Sequence, residues 1–97
     1  MIKLTVKQIQ HLKALAHNLD PVVMIGDKGL TDAVIKEIDI NLTAHELIKI
    51  RVLGADRDFR STLINEICEK TNSLLVQHIG KLLVIYRKSD KNKISLG

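Results

Sequence analysis

Gly26-Asp27-Lys28-Gly29 is the stretch of this sequence whose residue types and spacing come closest to chemistry. Two glycines bracket a short turn, and Thr31 with Asp32 follow as the start of a helical pattern. Such a loop lets the main chain approach a phosphate closely. The amides of Gly29, Leu30 and Thr31 would point at the anion, the helix dipole would favour its charge, and Lys28 would add a point cation. The pattern is not a dinucleotide fingerprint, which needs three glycines, nor a Walker loop, which needs Gly-Lys-Ser/Thr. The same two glycines also serve as plain punctuation between a strand and a helix, and Asp27 repels phosphate.

No other constellation suggests catalysis. The histidines are His11, His17, His45 and His78, and the cysteine Cys68 stands alone. His11 and His17 lie six positions apart on one helical stretch, which is not the four-residue spacing that brings two ligands to one metal. A single cysteine forms no internal disulfide and supplies no four-ligand zinc site, so Cys68 is read as a small buried hydrophobe. Catalytic residues, metal, cofactor and small-molecule substrate are not expected.

Composition narrows the class further. Ninety-seven residues, 45% hydrophobic and 27% charged, suit one soluble globular domain. No apolar run approaches the roughly 20 residues that span a bilayer. The first residues lack the long apolar stretch of a signal peptide, so a cytoplasmic protein without membrane partners is expected. Net charge is +4, a mild bias toward polyanions. The excess lies at the chain ends: residues 1–19 carry +3, residues 81–97 carry +4, and the stretch between carries −3. With one Phe and one Tyr, base stacking on an aromatic platform is disfavoured.

The elements that must position the loop follow from periodicity. Residues 5–17 read as a helix with Ile9, Leu12, Leu15, Ala16 and Leu19 on one stripe, ended by Asp20-Pro21. Val22-Val23-Met24-Ile25 is a continuous apolar run, the pattern of a strand covered on both faces. After the glycine loop, Thr31 caps a second helix that buries Val34, Ile35, Ile38 and Leu42 and ends near residues 44–45. Ile40 falls off that stripe. Residues 46–53 alternate, with Ile48, Ile50 and Val52 inward and Lys49 and Arg51 on a half-solvated face. That face is either simply wet or used for binding. A third helix over 57–71 buries Phe59, Leu63, Ile64 and Ile67, with Cys68 at its margin. Arg57 and Arg60 oppose its dipole. Two strands, 74–79 and 82–86, close a hairpin through Gly80-Lys81, a turn of type II′. The order α-β-α-β-α-β-β predicts an α/β domain over 1–97, with a mixed four-stranded sheet packed by helices. Its core would span about 2–88, followed by a basic tail at 89–97 whose Ile94 and Leu96 could dock.

In this order the segments Leu12-Lys13-Ala14-Leu15-Ala16-His17, Pro21-Val22-Val23, Ile25-Gly26-Asp27-Lys28-Gly29-Leu30-Thr31 and His45-Glu46-Leu47-Ile48-Lys49-Ile50 form a recognisable set. Gln77-His78-Ile79-Gly80-Lys81, Leu83-Val84-Ile85-Tyr86-Arg87 and Ile94-Ser95-Leu96 complete it. The sequence resembles the bacterial YhbY family, stand-alone CRM (chloroplast RNA splicing and ribosome maturation) domains. The resemblance covers nearly the whole chain. It implies a fold similar to the C-terminal domain of a bacterial translation initiation factor. It also implies non-enzymatic binding of structured RNA, with precursors of the large ribosomal subunit as partner. The implied contacts centre on Gly26, Asp27, Lys28, Gly29, Leu30 and Thr31. Lys7, Lys13, Lys49 and Arg51 join them by proximity, and Arg87 and Lys88 would extend the basic surface toward the tail. A protein-interaction adaptor, its lysines serving solubility, is the alternative reading.

Overall fold

Three helices and four strands alternate as the periodicity predicts. They are α1 (Val6–Ala16), β1 (Val23–Ile25), α2 (Asp32–His45), β2 (Leu47–Val52), α3 (Arg57–Thr71), β3 (Leu74–Ile79) and β4 (Leu82–Tyr86). The structure is a computed structural model and describes residues 4–26, 28–54, 57–89 and 94. The sheet runs β1-β2-β4-β3. β1 lies parallel to β2, while β4 is antiparallel to both β2 and β3. The α2 crossover makes the first pairing parallel, and the two-residue hairpin makes the last antiparallel. Gly80 has φ +54°, whereas Lys81 is not left-handed, as a II′ turn requires.

Local chemistry sets the helix limits. Thr5 caps α1 in a reciprocal box with Gln8: Gln8 N donates to Thr5 Oγ1 at 3.1 Å, and Thr5 N donates to Gln8 Oε1 at 2.9 Å. At the end of α3, Asn72 takes φ +54° and Ser73 N donates to Cys68 O at 3.0 Å, closing the helix with a left-handed cap.

The two sheet faces are covered unequally. On one, Ile38 and Leu42 of α2 and Leu63, Ile64 and Ile67 of α3 pack onto Val23, Ile25, Ile48, Ile50, Val52, Leu83 and Ile85. On the other, α1 alone contributes Leu12 and Ala16, which meet Leu47, Val76, Val84 and Tyr86. Two expectations are corrected here. β1 is an edge strand buried on one face only, with Met24 62% exposed, because α1 does not reach it. The α1 stripe is also narrower than its periodicity suggests: Leu15 and Leu19 stay exposed, and Ile9 is half-buried. Ile40 points to solvent.

One end of the sheet is closed by polar groups that satisfy one another. Glu46 ends α2 with φ +66° and is fully buried. Its carboxylate accepts from Ser89 N and Ser89 Oγ at 2.7 Å and from Ile94 N at 2.8 Å. This fastens the segment after β4 at two points and seats Ile94 against the α1 core. Leu96 and residues 90–93 lie outside the described residues. Charge-assisted hydrogen bonds at a buried carboxylate are the strong class. Glu46→Gln, which turns an amide NH2 toward N–H donors, is therefore expected to lower unfolding stability by about 2–4 kcal/mol. Urea unfolding at neutral pH measures this, and a loss below about 0.5 kcal/mol would show the anchor to be dispensable.

Candidate functional site

At the opposite end of the sheet lie the glycine loop after β1, the turn after β2 and the β3–β4 hairpin. Main-chain bonds hold them together: Leu53 N donates to Ile25 O and Val52 N to Lys81 O, both at 2.8 Å. Gly54, with φ +67°, then turns the chain toward α3.

Within the loop, Gly29 N donates to Gly26 O at 3.0 Å and closes the turn on itself. The Gly29 amide is therefore engaged and not offered to a ligand, contrary to the sequence expectation. Thr31 caps α2 as expected, its Oγ1 accepting from Val34 N at 3.2 Å and its carbonyl from Ile35 N at 3.0 Å. The main-chain donors of Leu30 and Thr31 remain at the corner, while the Leu30 side chain packs into the core. Lys28 is exposed, and Asp27 lies outside the described residues.

The two glycines do different work. Gly29 is buried with φ +70°, a conformation that side chains rarely tolerate, and an added Cβ would stand 3.8 Å from Phe59 Cζ. Gly26 is exposed, is not left-handed and would place a Cβ in open space. Folding thus demands glycine at 29, and nothing among the described residues demands it at 26. Phe59, expected in the core, is 47% exposed because it extends the Leu63–Ile67 stripe past the sheet end and over the loop.

Beside this end, on the α1 face, a groove of about 350 Å³ is floored by Leu82 and Val84. Its walls bring together Lys13 and His17 of α1, Lys49 of β2 and Ile79 of β3. Register places Arg51 one step nearer the loop, opposite Leu82 and beside Met24. Lys13, Lys49 and Arg51 therefore lie on the α1 face of the sheet, and Lys28 follows in the loop after β1. Lys7, six positions before Lys13, points about 120° away around the helix and does not join them. His17 and the exposed Lys81 also belong to this end. Only the strand order, not any local pattern, brings the hairpin lysine beside the end of β2.

Arg87 does not belong there. It follows β4 at the far end, and its guanidinium is bound within the fold. Nη1 donates to Asp39 Oδ1 at 2.6 Å and to Thr71 O at 2.9 Å, and Nη2 donates to Asp39 O at 3.0 Å and Thr43 Oγ1 at 2.8 Å. The Arg87 side chain is only 20% exposed and ties α2 and the end of α3 to β4. Its expected place on the basic surface is withdrawn. Lys88 is exposed but lies at that same far end. The Arg57 side chain is outside the described residues.

Nothing in this arrangement is a catalytic set. Burial pushes the Cys68 thiol up, partly offset by a hydrogen bond with Ser73, so it is a poor nucleophile. Burial, and then the charge of Glu46, also raises the Tyr86 phenol. Among the described residues no group of three or more His, Cys, Asp or Glu could hold a metal ion, and no helix is long and apolar enough to cross a membrane.

The CRS1 / YhbY (CRM) domain model matches residues 4–87. A Haemophilus influenzae protein named "RNA-binding protein" is 51% identical over 96 residues, covering 99% of this chain and 97% of its own. The "Probable RNA-binding protein YqeI" of Bacillus subtilis is 38% identical, covering 93% and 94%. The fold is similar to the solution structure of a Staphylococcus aureus protein described as a candidate RNA binder. That similarity has a TM-score of 0.83 and 46% identity, and it covers 94% of this chain and 95% of that one.

The two glycines provide a direct check on the loop. Gly26→Ala is expected to leave the thermal midpoint within about 1 °C of wild type, whereas Gly29→Ala is expected to cost about 1–2 kcal/mol through left-handed strain. Equal destabilisation by the two variants would mean that Gly26, too, is required by the fold.

Proposed function

The chain belongs to the CRS1 / YhbY (CRM) domain family, and from that premise we propose that it is a non-enzymatic, cytoplasmic RNA-binding module acting on ribosomal RNA of large-subunit precursors. The observation that carries this reading is the glycine that folding does not require. Gly26 lies at an exposed corner beside Lys28, with no described residue within 4 Å of where a Cβ would stand apart from its chain neighbours, which suits close approach by a sugar–phosphate backbone. The amides of Leu30 and Thr31 at the start of α2 supply donors for one phosphate. Lys13, Lys49 and Arg51 extend the contact along the α1 face as point cations for neighbouring phosphates. With the one tyrosine buried and the one phenylalanine packed beside Gly29, recognition rests mainly on backbone and shape.

A second reading draws on a different surface. A groove of about 440 Å³ between α1 and the end of α2 is lined by Leu15, Leu19, Val22 and Ile94. Its exposed aliphatic rim suits an adaptor role toward an assembly or translation factor. The cationic end favours RNA as the primary partner.

Binding to structured ribosomal RNA fragments should follow counterion release, with affinity falling steeply between about 50 and 200 mM salt. Lys49→Gln with Arg51→Gln is expected to weaken binding at least tenfold and to flatten the logarithmic salt slope by about 1.5–2. Gly26→Ala and Lys28→Gln should weaken binding without changing stability. Lys7→Gln should change affinity little. Fluorescence anisotropy titrations measure all of these. Unchanged affinity in the Lys49/Arg51 and Gly26 variants would remove RNA binding from this end of the molecule.

A further inference from the structure

Register aligns four side chains in one row across the whole sheet, on the face that α1 covers only in part. Met24 of β1 pairs with Arg51 of β2, Arg51 with Leu82 of β4, and Leu82 with Ile79 of β3. Met24 is 62% exposed and Ile79 is 59% exposed, while Arg51 is exposed and Leu82 half-buried. Single exposed aliphatics are ordinary. A full row of them, broken only by an arginine and adjoining the glycine loop, is a shelf.

The charge around the shelf selects its occupant. Lys13, His17 and Lys49 wall the adjoining groove, and no described residue lining that groove is acidic. A second copy of the same face would set Arg51 and Lys49 against their own kind. An acidic protein segment would satisfy the cations without using the apolar row. An A-form duplex presents phosphates and riboses but keeps its base faces stacked inside. A strand with unpaired bases offers both chemistries: phosphates for the cations and flat apolar faces for Met24, Leu82 and Ile79.

We propose that this row is a docking shelf for unpaired nucleotides, so that the protein selects looped or single-stranded segments of its RNA over continuous duplex. The proposal rests on the RNA-binding reading and adds to it the part of the RNA that is held. Phosphates lie along Lys49 and Arg51, and one or two bases lie flat on the thioether of Met24 and the aliphatic carbons of Leu82 and Ile79. The exposed guanidinium of Arg51 supplies the one planar cation of the row, able to stack on a base face as well as pair with a phosphate.

The test compares two RNA hairpins with equal numbers of phosphates, one with an eight-nucleotide loop and one almost wholly paired. Wild type, Met24→Ser/Ile79→Ser and Lys49→Gln/Arg51→Gln are each titrated by fluorescence anisotropy. Both substituted apolar side chains face solvent, so circular dichroism and thermal midpoint should match wild type. Wild type is expected to favour the looped hairpin by about three- to thirtyfold, below the reach of base–aromatic stacking because the row offers a thioether and aliphatic carbons in place of rings. The serine variant is expected to lose that preference while keeping its affinity for paired RNA and its salt slope. The glutamine variant should weaken on both hairpins. Equal binding of the two hairpins by wild type, or an undiminished preference in the serine variant, overturns the shelf. If the glutamine variant still weakens in that case, RNA binding stands without it. If wild type binds neither hairpin, or the glutamine variant binds both as well as wild type does, the underlying RNA reading fails and the shelf with it. A dimer in sedimentation that the serine substitutions dissolve, with RNA affinity unchanged, would reassign the row to self-association and equally overturn the proposal.

Discussion

An eleven-residue helix is about 16 Å long and about 10 Å wide, and a four-stranded sheet of six-residue strands measures roughly 20 Å on each side. One such helix covers about half of one face. On the opposite face the 14 residues of α2 and the 15 of α3 cover the sheet, and the strand residues beneath them are almost fully buried. On its own face α1 protects Leu47, Val84 and Tyr86 and leaves the sheet end that carries Met24, Arg51 and Ile79 in water. The open half is therefore a consequence of helix number. The fold can keep it because the other face and the covered half supply the core.

The two ends of the sheet have opposite characters. At the far end, buried polar groups are satisfied internally: Glu46 holds Ser89 and Ile94, and Arg87 holds Asp39, Thr43 and Thr71. Removing one partner there would strand a desolvated group, so that end is committed to stability. At the loop end, main-chain bonds from Leu53, Val52 and Gly29 fix the backbone, while the cationic side chains project outward. A rigid main chain bearing free side-chain charge is a preorganised binding surface.

Much of this was legible in the sequence. The 3.6-residue stripe gave α2 and α3 their bounds, alternation gave β2, and Gly80-Lys81 gave the hairpin, because each rests on interactions within a few residues. Whatever depends on which element lies beside which was not legible. Met24 belongs to an apolar run that reads as doubly buried, and only the edge position of β1 exposes it. Phe59 continues the i, i+4 series of Leu63 and Ile67, yet the sheet ends before it does. Gly26 and Gly29 are identical letters, but their backbone angles and surroundings separate a fold requirement from a free corner. Arg51 and Arg87 likewise look alike in sequence, and only the tertiary fold gives Arg87 its partners.

The charge pattern illustrates the same physics on a larger scale. Along the chain the basic excess sits at the two ends and the middle is acidic, which points to the termini as the polyanion-facing surface. In space the fold regroups these charges. Of the acidic residues in the middle, Asp39 is paired with Arg87, Glu46 is buried among main-chain and hydroxyl donors, and Glu66 meets Lys70 on α3. These carboxylates are all held away from the loop end. Lys49, which comes from that same acidic stretch, meets Lys13 from the basic N-terminal stretch in a groove whose described lining carries no acid, and Arg51 follows two residues along β2 on the same face. A segment with net charge −3 thus contributes cations to this groove and to the strand face beside it. Of its described acids, Asp39, Glu46 and Glu66 are engaged away from that end, while Asp32 and Asp58 stand in the first turns of α2 and α3.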